Sequence, residues 1–116
     1  MHYRFVLTAM LSAAITMSGV ALAAELNPVL IIRREQFEPQ QLVLPSAVKL
    51  KLVIRNIGKL PAEFESDDLS REILIPGNGE VTIYVGPLAP GRYQLFNDLN
   101  RTMQGTVVVT QPVTGQ

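Results

Sequence analysis

The 116-residue chain contains no cysteine, and its single histidine is His2. Without thiols there is no disulfide framework, no thiolate ligand for a soft metal, no lipid-attached cysteine and no thiol chemistry. With no histidine after residue 2, the serines and threonines lack the usual base, which argues against hydrolytic nucleophilic catalysis. Positive charge is not in excess either. Ten Lys and Arg balance ten Asp and Glu, so no cationic field invites nucleic acid. After Ala24, no apolar run approaches the roughly 20 residues needed to span a bilayer as a helix.

The residues before Ala24 differ in character. Arg4 and the amino terminus are positive, Phe5 to Val20 is largely apolar, and Ala21-Leu22-Ala23 is a small-x-small signal. This pattern predicts a cleavable secretory signal over residues 1–23, cut after Ala23, and export of a single domain over residues 24–116. That domain has nine basic and ten acidic side chains, a net charge of −1. It is long enough to close one core, although a domain of this size buries a modest share of its surface.

Along the domain, short β-rich runs alternate with Pro and Gly. Pro28–Arg34 is a β-branched run suited to a first strand, and Phe37-Glu38-Pro39 is expected to break it. Leu42–Pro45 follows, with Pro45-Ser46-Ala47 as a turn. Lys49–Arg55 has the clearest alternation, placing Leu50, Leu52 and Ile54 on one side and Lys49, Lys51 and Arg55 on the other. Leu60–Ser66, Ile73–Pro76 and Glu80–Val85 are further extended segments, separated by turns at Asn56–Lys59 and Pro76–Gly79. Asp67–Ser70 reads as a loop or a single turn. Leu88-Ala-Pro-Gly-Arg-Tyr93 suits a corner between sheets, with the Tyr93 hydroxyl bonded to upstream backbone. A strand, a loop over Asn97–Met103 and a last strand then lead to a polar tail after Thr110. The pattern predicts an all-β fold, an antiparallel Greek-key β-sandwich of about seven strands.

Gly91-Arg-Tyr-Gln-Leu-Phe96, Met103-Gln-Gly-Thr-Val-Val-Val109 and Phe37-Glu-Pro-Gln-Gln-Leu-Val-Leu-Pro45 together resemble the cupredoxins. The blue-copper members carry Cys, His and Met in the last loop. On this chain the resemblance sets Cys at Asn97, His at Asn100 and Met at Met103, with the remaining His near Ala62 or Glu63. Three of four ligands are absent, so no type 1 copper site is expected. Glu63-Phe-Glu-Ser66, Leu69-Ser-Arg-Glu72, Ile75-Pro-Gly77 and Thr82-Ile-Tyr-Val-Gly-Pro-Leu88 further resemble periplasmic cupredoxin-like proteins of bacterial iron uptake. That resemblance implies a periplasmic protein supporting ferrous iron uptake, with a membrane iron permease and other periplasmic subunits as partners. A second copy of the chain, as a homodimer, is a further candidate. One departure is Pro45-Ser46-Ala47, where the family usually has a Gly.

Five acids crowd between residues 63 and 72: Glu63, Glu65, Asp67, Asp68 and Glu72. In a strand, Glu63 and Glu65 share one face with Phe64 on the other. Carboxylate oxygens suit hard or intermediate cations, and a cation would relieve their mutual repulsion. A solvated acidic edge that prevents strand pairing is the alternative. Arg71 is expected to pair with Glu65 or Glu72. The candidate metal ligands are Glu63, Glu65, Asp98 and Met103, with the last two facing the glutamates across the sandwich end and the cofactor an iron or copper ion. Three functions remain open: metal presentation to the permease, a ferroxidase component of that system, and a metal-free β-sandwich adaptor.

Overall fold

A computed structural model describes Ala24 and residues 26–111. The expected signal segment and the end of the tail lie outside the described residues. The regular elements are strands: β1 (Val29–Arg33), β2 (Gln36–Glu38), β3 (Gln41–Pro45), β4 (Leu50–Asn56), β5 (Ala62–Ser66), β6 (Arg71–Ile75), β7 (Glu80–Val85), β8 (Gly91–Asn97) and β9 (Asn100–Thr110). They form a four-stranded sheet, β2-β1-β4-β7, and a five-stranded sheet, β3-β9-β8-β5-β6. The all-β sandwich expected from the alternation is present.

Strand β4 shows how the pattern becomes packing. Leu50, Leu52 and Ile54 are buried, while Lys51 and Arg55 on its other face are exposed. In β5, Ala62, Phe64 and Ser66 point into the core, leaving Glu63 and Glu65 on the outer face of the five-stranded sheet. Phe64 meets Phe37 of the opposite sheet edge to face, with centroids 6.5 Å apart and rings at 80°. Such a pair contributes about 0.5–1.5 kcal/mol beyond the area it buries. Gly105 allows the approach: a Cβ there would lie 3.1 Å from the Phe37 ring and from the Gln40 carbonyl. The Tyr93 hydroxyl donates to the Ala89 carbonyl at 2.6 Å, forming the expected corner.

Three details differ from expectation. Among the described residues nine strands form rather than about seven, and the segment expected to break the sheet contains β2. Pro39 removes only its own N–H, so Gln36–Glu38 remain free to pair with β1. The sheets are also mixed rather than wholly antiparallel, since β1 runs parallel to β4 and β3 parallel to β9. Alternation reports which face is buried and carries no information about the direction of the neighbour.

The β1–β2 turn places Arg34 at φ 47° and Glu35 at φ 62°, and Ala47 after β3 has φ 63°. These are left-handed conformations in which a Cβ costs roughly 1–2 kcal/mol. Ala47 therefore occupies a position suited to the glycine expected from the resemblance. Ala47→Gly should raise stability by about 0.5–1 kcal/mol in chemical denaturation, after allowing for the greater chain entropy of glycine. An Ala47→Val variant, bulkier in the same conformation, should lose stability.

Candidate functional site

The outer face of the five-stranded sheet collects the acids. Glu65 on β5 lies directly opposite Glu72 on β6, and Glu63 is one step diagonal, opposite Leu74. Directly opposed like charges destabilise a strand pair. One ligand oxygen from each of Glu63, Glu65 and Glu72 can be chosen so that all lie within 4.8 Å of one another. A hydrogen bond to Glu72, aided by desolvation and by the Glu72, Asp98 and Glu65 charges, pushes the Glu63 carboxyl up to about 7. Desolvation, followed by Asp98, Glu72 and Asp67, also raises Glu65, while Arg101 opposes that shift. Near neutral pH the Glu63 carboxyl is thus about half protonated, and in its protonated form it can donate to a Glu72 oxygen.

The expected site residues separate into two environments. Glu63 and Glu65 come together, and Glu72 joins them as a member that the strand register selects. Asp98 borders the group: its N–H donates to the Glu63 carbonyl at 2.9 Å, while its carboxylate pairs with Arg101 at 2.7 Å. That guanidinium also covers the Phe96 ring at 5.1 Å. Met103 is on the other side of the sheet. It is buried in the core, so it cannot complete an oxygen–sulfur site with the outward-facing glutamates. The strand period decides this, because β9 begins at Asn100 and its alternation turns Met103 inward.

Other expectations in this region also change. Arg71 donates to the Tyr84 carbonyl across the sheet edges and forms no ion pair with Glu65 or Glu72. Asp68 accepts the Gln94 N–H at 2.8 Å, a structural use. Asn97–Met103 is not an open loop. Asn97 pairs with Asn100 around a two-residue connection.

Asn97 occupies the position set for the copper thiolate. It is buried, and its Oδ1 accepts the N–H groups of Glu63 at 2.9 Å and Leu99 at 3.1 Å. Its Nδ2 donates to the Met103 sulfur at 3.7 Å. Asn100 Oδ1 accepts the Thr102 hydroxyl at 2.7 Å. With amides in place of thiolate and imidazole and the amide oxygens already bonded, this end of the sandwich does not fit type 1 copper.

Residues 6–109 match the Cupredoxin-like domain family. The chain belongs to that family. A protein of Rickettsia prowazekii (strain Madrid E) is 35% identical over 79 residues, 67% of this chain and 63% of that protein. The cupredoxin-like chain therefore spans a little less than two thirds of that relative. Among solved structures, a reduced amicyanin mutant superposes with a TM-score of 0.62 at 17% identity, covering 80% of this chain and 88% of the other. Amicyanin of Paracoccus versutus gives 0.59 at 15% identity, covering 72% and 81%. Amicyanin structures include a Cu(I) form. The shared property here is the cupredoxin-like fold.

The raised Glu63 carboxyl has a consequence for stability. Because Glu63 is raised from 4.5 to about 7, the folded state holds more protons than the unfolded state between these values. Stability of the metal-free protein should therefore fall as pH rises through about 4.5 to 7. Denaturation measured across that range should show the decline, and Glu63→Gln should flatten it.

Proposed function

We propose that this cupredoxin-like protein is exported to the periplasm and supports ferrous iron uptake by presenting a divalent cation, held by Glu63, Glu65 and Glu72, to a membrane permease system. The observation that carries this reading is the convergence of three carboxylates on adjacent strands within 4.8 Å. Oxygen donors of this kind suit hard and intermediate cations, including ferrous iron. The motif resemblance around Glu63–Ser66 and Leu69–Glu72 supplies the pathway. The signal-like amino terminus supplies the compartment.

The carboxylates can bind the ion and neutralise the cluster, while Asp98 adds negative potential beside it. Ferrous iron is the cargo. A ferroxidase role would pass electrons from ferrous iron to an acceptor such as dioxygen. A metal-free adaptor is the second reading, favoured by the Glu63–Glu72 proton, which relieves the repulsion without an ion.

Calorimetric titration with Mn²⁺, and with Fe²⁺ under anaerobic conditions, separates these readings. Binding with a Kd on the order of micromolar is expected. Glu63→Ala and Glu65→Ala should each weaken it by about tenfold or more. Affinity should rise from pH 6 to pH 8 with release of about one proton per ion below neutrality, because Glu63 must ionise to bind. No heat with Fe²⁺, Mn²⁺ or Cu²⁺ would leave the adaptor. Oxygen uptake on adding Fe²⁺, absent in the glutamate variants, would instead indicate the ferroxidase.

A further inference from the structure

On the inner side of the same sheet end, a cavity of about 380 Å³ opens between the β1–β2, β4–β5 and β8–β9 connections. Its walls include Ile32, Ala62 and Met103, all buried, and its open side includes Leu60 and Leu99, 76% and 54% exposed. The volume and apolar lining are those of a small-molecule pocket.

The polar groups in this lining are arranged asymmetrically. Asn56 Oδ1 accepts the Gly58 N–H, and Asn97 Oδ1 accepts two backbone N–H groups, so both amide oxygens are occupied. The two backbone donors also fix which atom of the Asn97 amide is oxygen. Its Nδ2, in a side chain 93% buried by the 7% exposure of Asn97, has the weakly accepting Met103 sulfur as its partner and a second hydrogen to donate. At the mouth stand Arg34 and Lys59, with Glu35 as the one anion in the lining. Among the described residues none of these three forms an ion pair. Arg34 and Glu35, at φ 47° and 62°, form the two-residue turn that joins β1 to β2, and this turn sets Arg34 at the mouth.

We propose that this cavity binds a small amphiphilic carboxylate, its apolar chain against Ala62, Met103 and Leu99 and its anionic head toward Arg34 and Lys59. The spare capacity of the buried Asn97 amide and of both cations is for donation, against the single carboxylate of Glu35, so an acceptor-bearing ligand is favoured over a donor-only one. The pocket is separate from the glutamates, which face outward from the same sheet. Binding here neither requires nor predicts a metal.

The test is an NMR titration of the protein with octanoate and, in parallel, 1-octanol. Octanoate should give saturable shifts at Leu60, Leu99 and the Met103 methyl with a Kd in about the submillimolar range. Ala62→Phe, which fills the cavity, should abolish them. Should that core variant fail to fold, Arg34→Asn and Lys59→Gln are exposed changes that keep the fold. Combined, they should weaken octanoate by about fivefold and leave octanol unchanged. Absence of saturable shifts up to about 10 mM, retained binding in folded Ala62→Phe, or equal octanoate affinity in the double variant would each overturn the proposal.

Discussion

The carboxamide of Asn97 connects three strands at one end of the sandwich. Its oxygen takes the N–H of Glu63 on β5 and of Leu99 in the β8–β9 connection, and its nitrogen reaches the sulfur of Met103 on β9. Each net bond contributes only about 0.5–1.5 kcal/mol, but a buried N–H stripped of its acceptor costs about 1–3 kcal/mol. Here one oxygen satisfies two such donors. A neutral amide thus supplies a crosslink at the position where the family resemblance expects a metal-bound thiolate. These bonds tie β5, β8 and β9 together at this end of the sandwich.

This arrangement also fixes what lies on either side of the five-stranded sheet. Outside, the β5 register brings Glu63 and Glu65 against Glu72, at an electrostatic cost that a shared proton or a bound cation can relieve. Inside, small Ala62 and the amides leave an apolar space bordered by Leu60 and Leu99. Buried Asn56 holds the neighbouring loop by donating to the carbonyls of Leu60 and Ile75. Asparagines therefore shape this end on both the β4–β5 and β8–β9 sides, and the outer and inner faces offer different chemistry.

Much of this was legible in the residue pattern. Alternation at Leu50–Arg55 and around Phe64 identified the buried faces, and Tyr93 identified its corner. The outward placement of Glu63 and Glu65 followed from their spacing. The missing parts depended on long-range register. Glu72 joins them because β6 pairs with β5 in one particular alignment, which local periodicity does not encode. Met103 was misplaced because Asn97–Met103 reads as a polar loop; once Asn100 begins β9, the period of two turns Met103 into the core. Strand β2 was hidden by the proline after it, and the parallel pairs leave no signature in alternation. The cavity arises among three connections far apart in sequence, where no local motif marks it.

The most direct measurement of the central claim is the unfolding free energy of Asn97→Ala by chemical denaturation in the absence of added metal. Loss of the acceptor for the Glu63 and Leu99 N–H groups, with the void left behind, should lower stability by about 2–4 kcal/mol. A variant within about 0.5 kcal/mol of the parent, the range of an ordinary surface substitution, would contradict the assignment of Asn97 as the crosslink that closes this end of the sandwich.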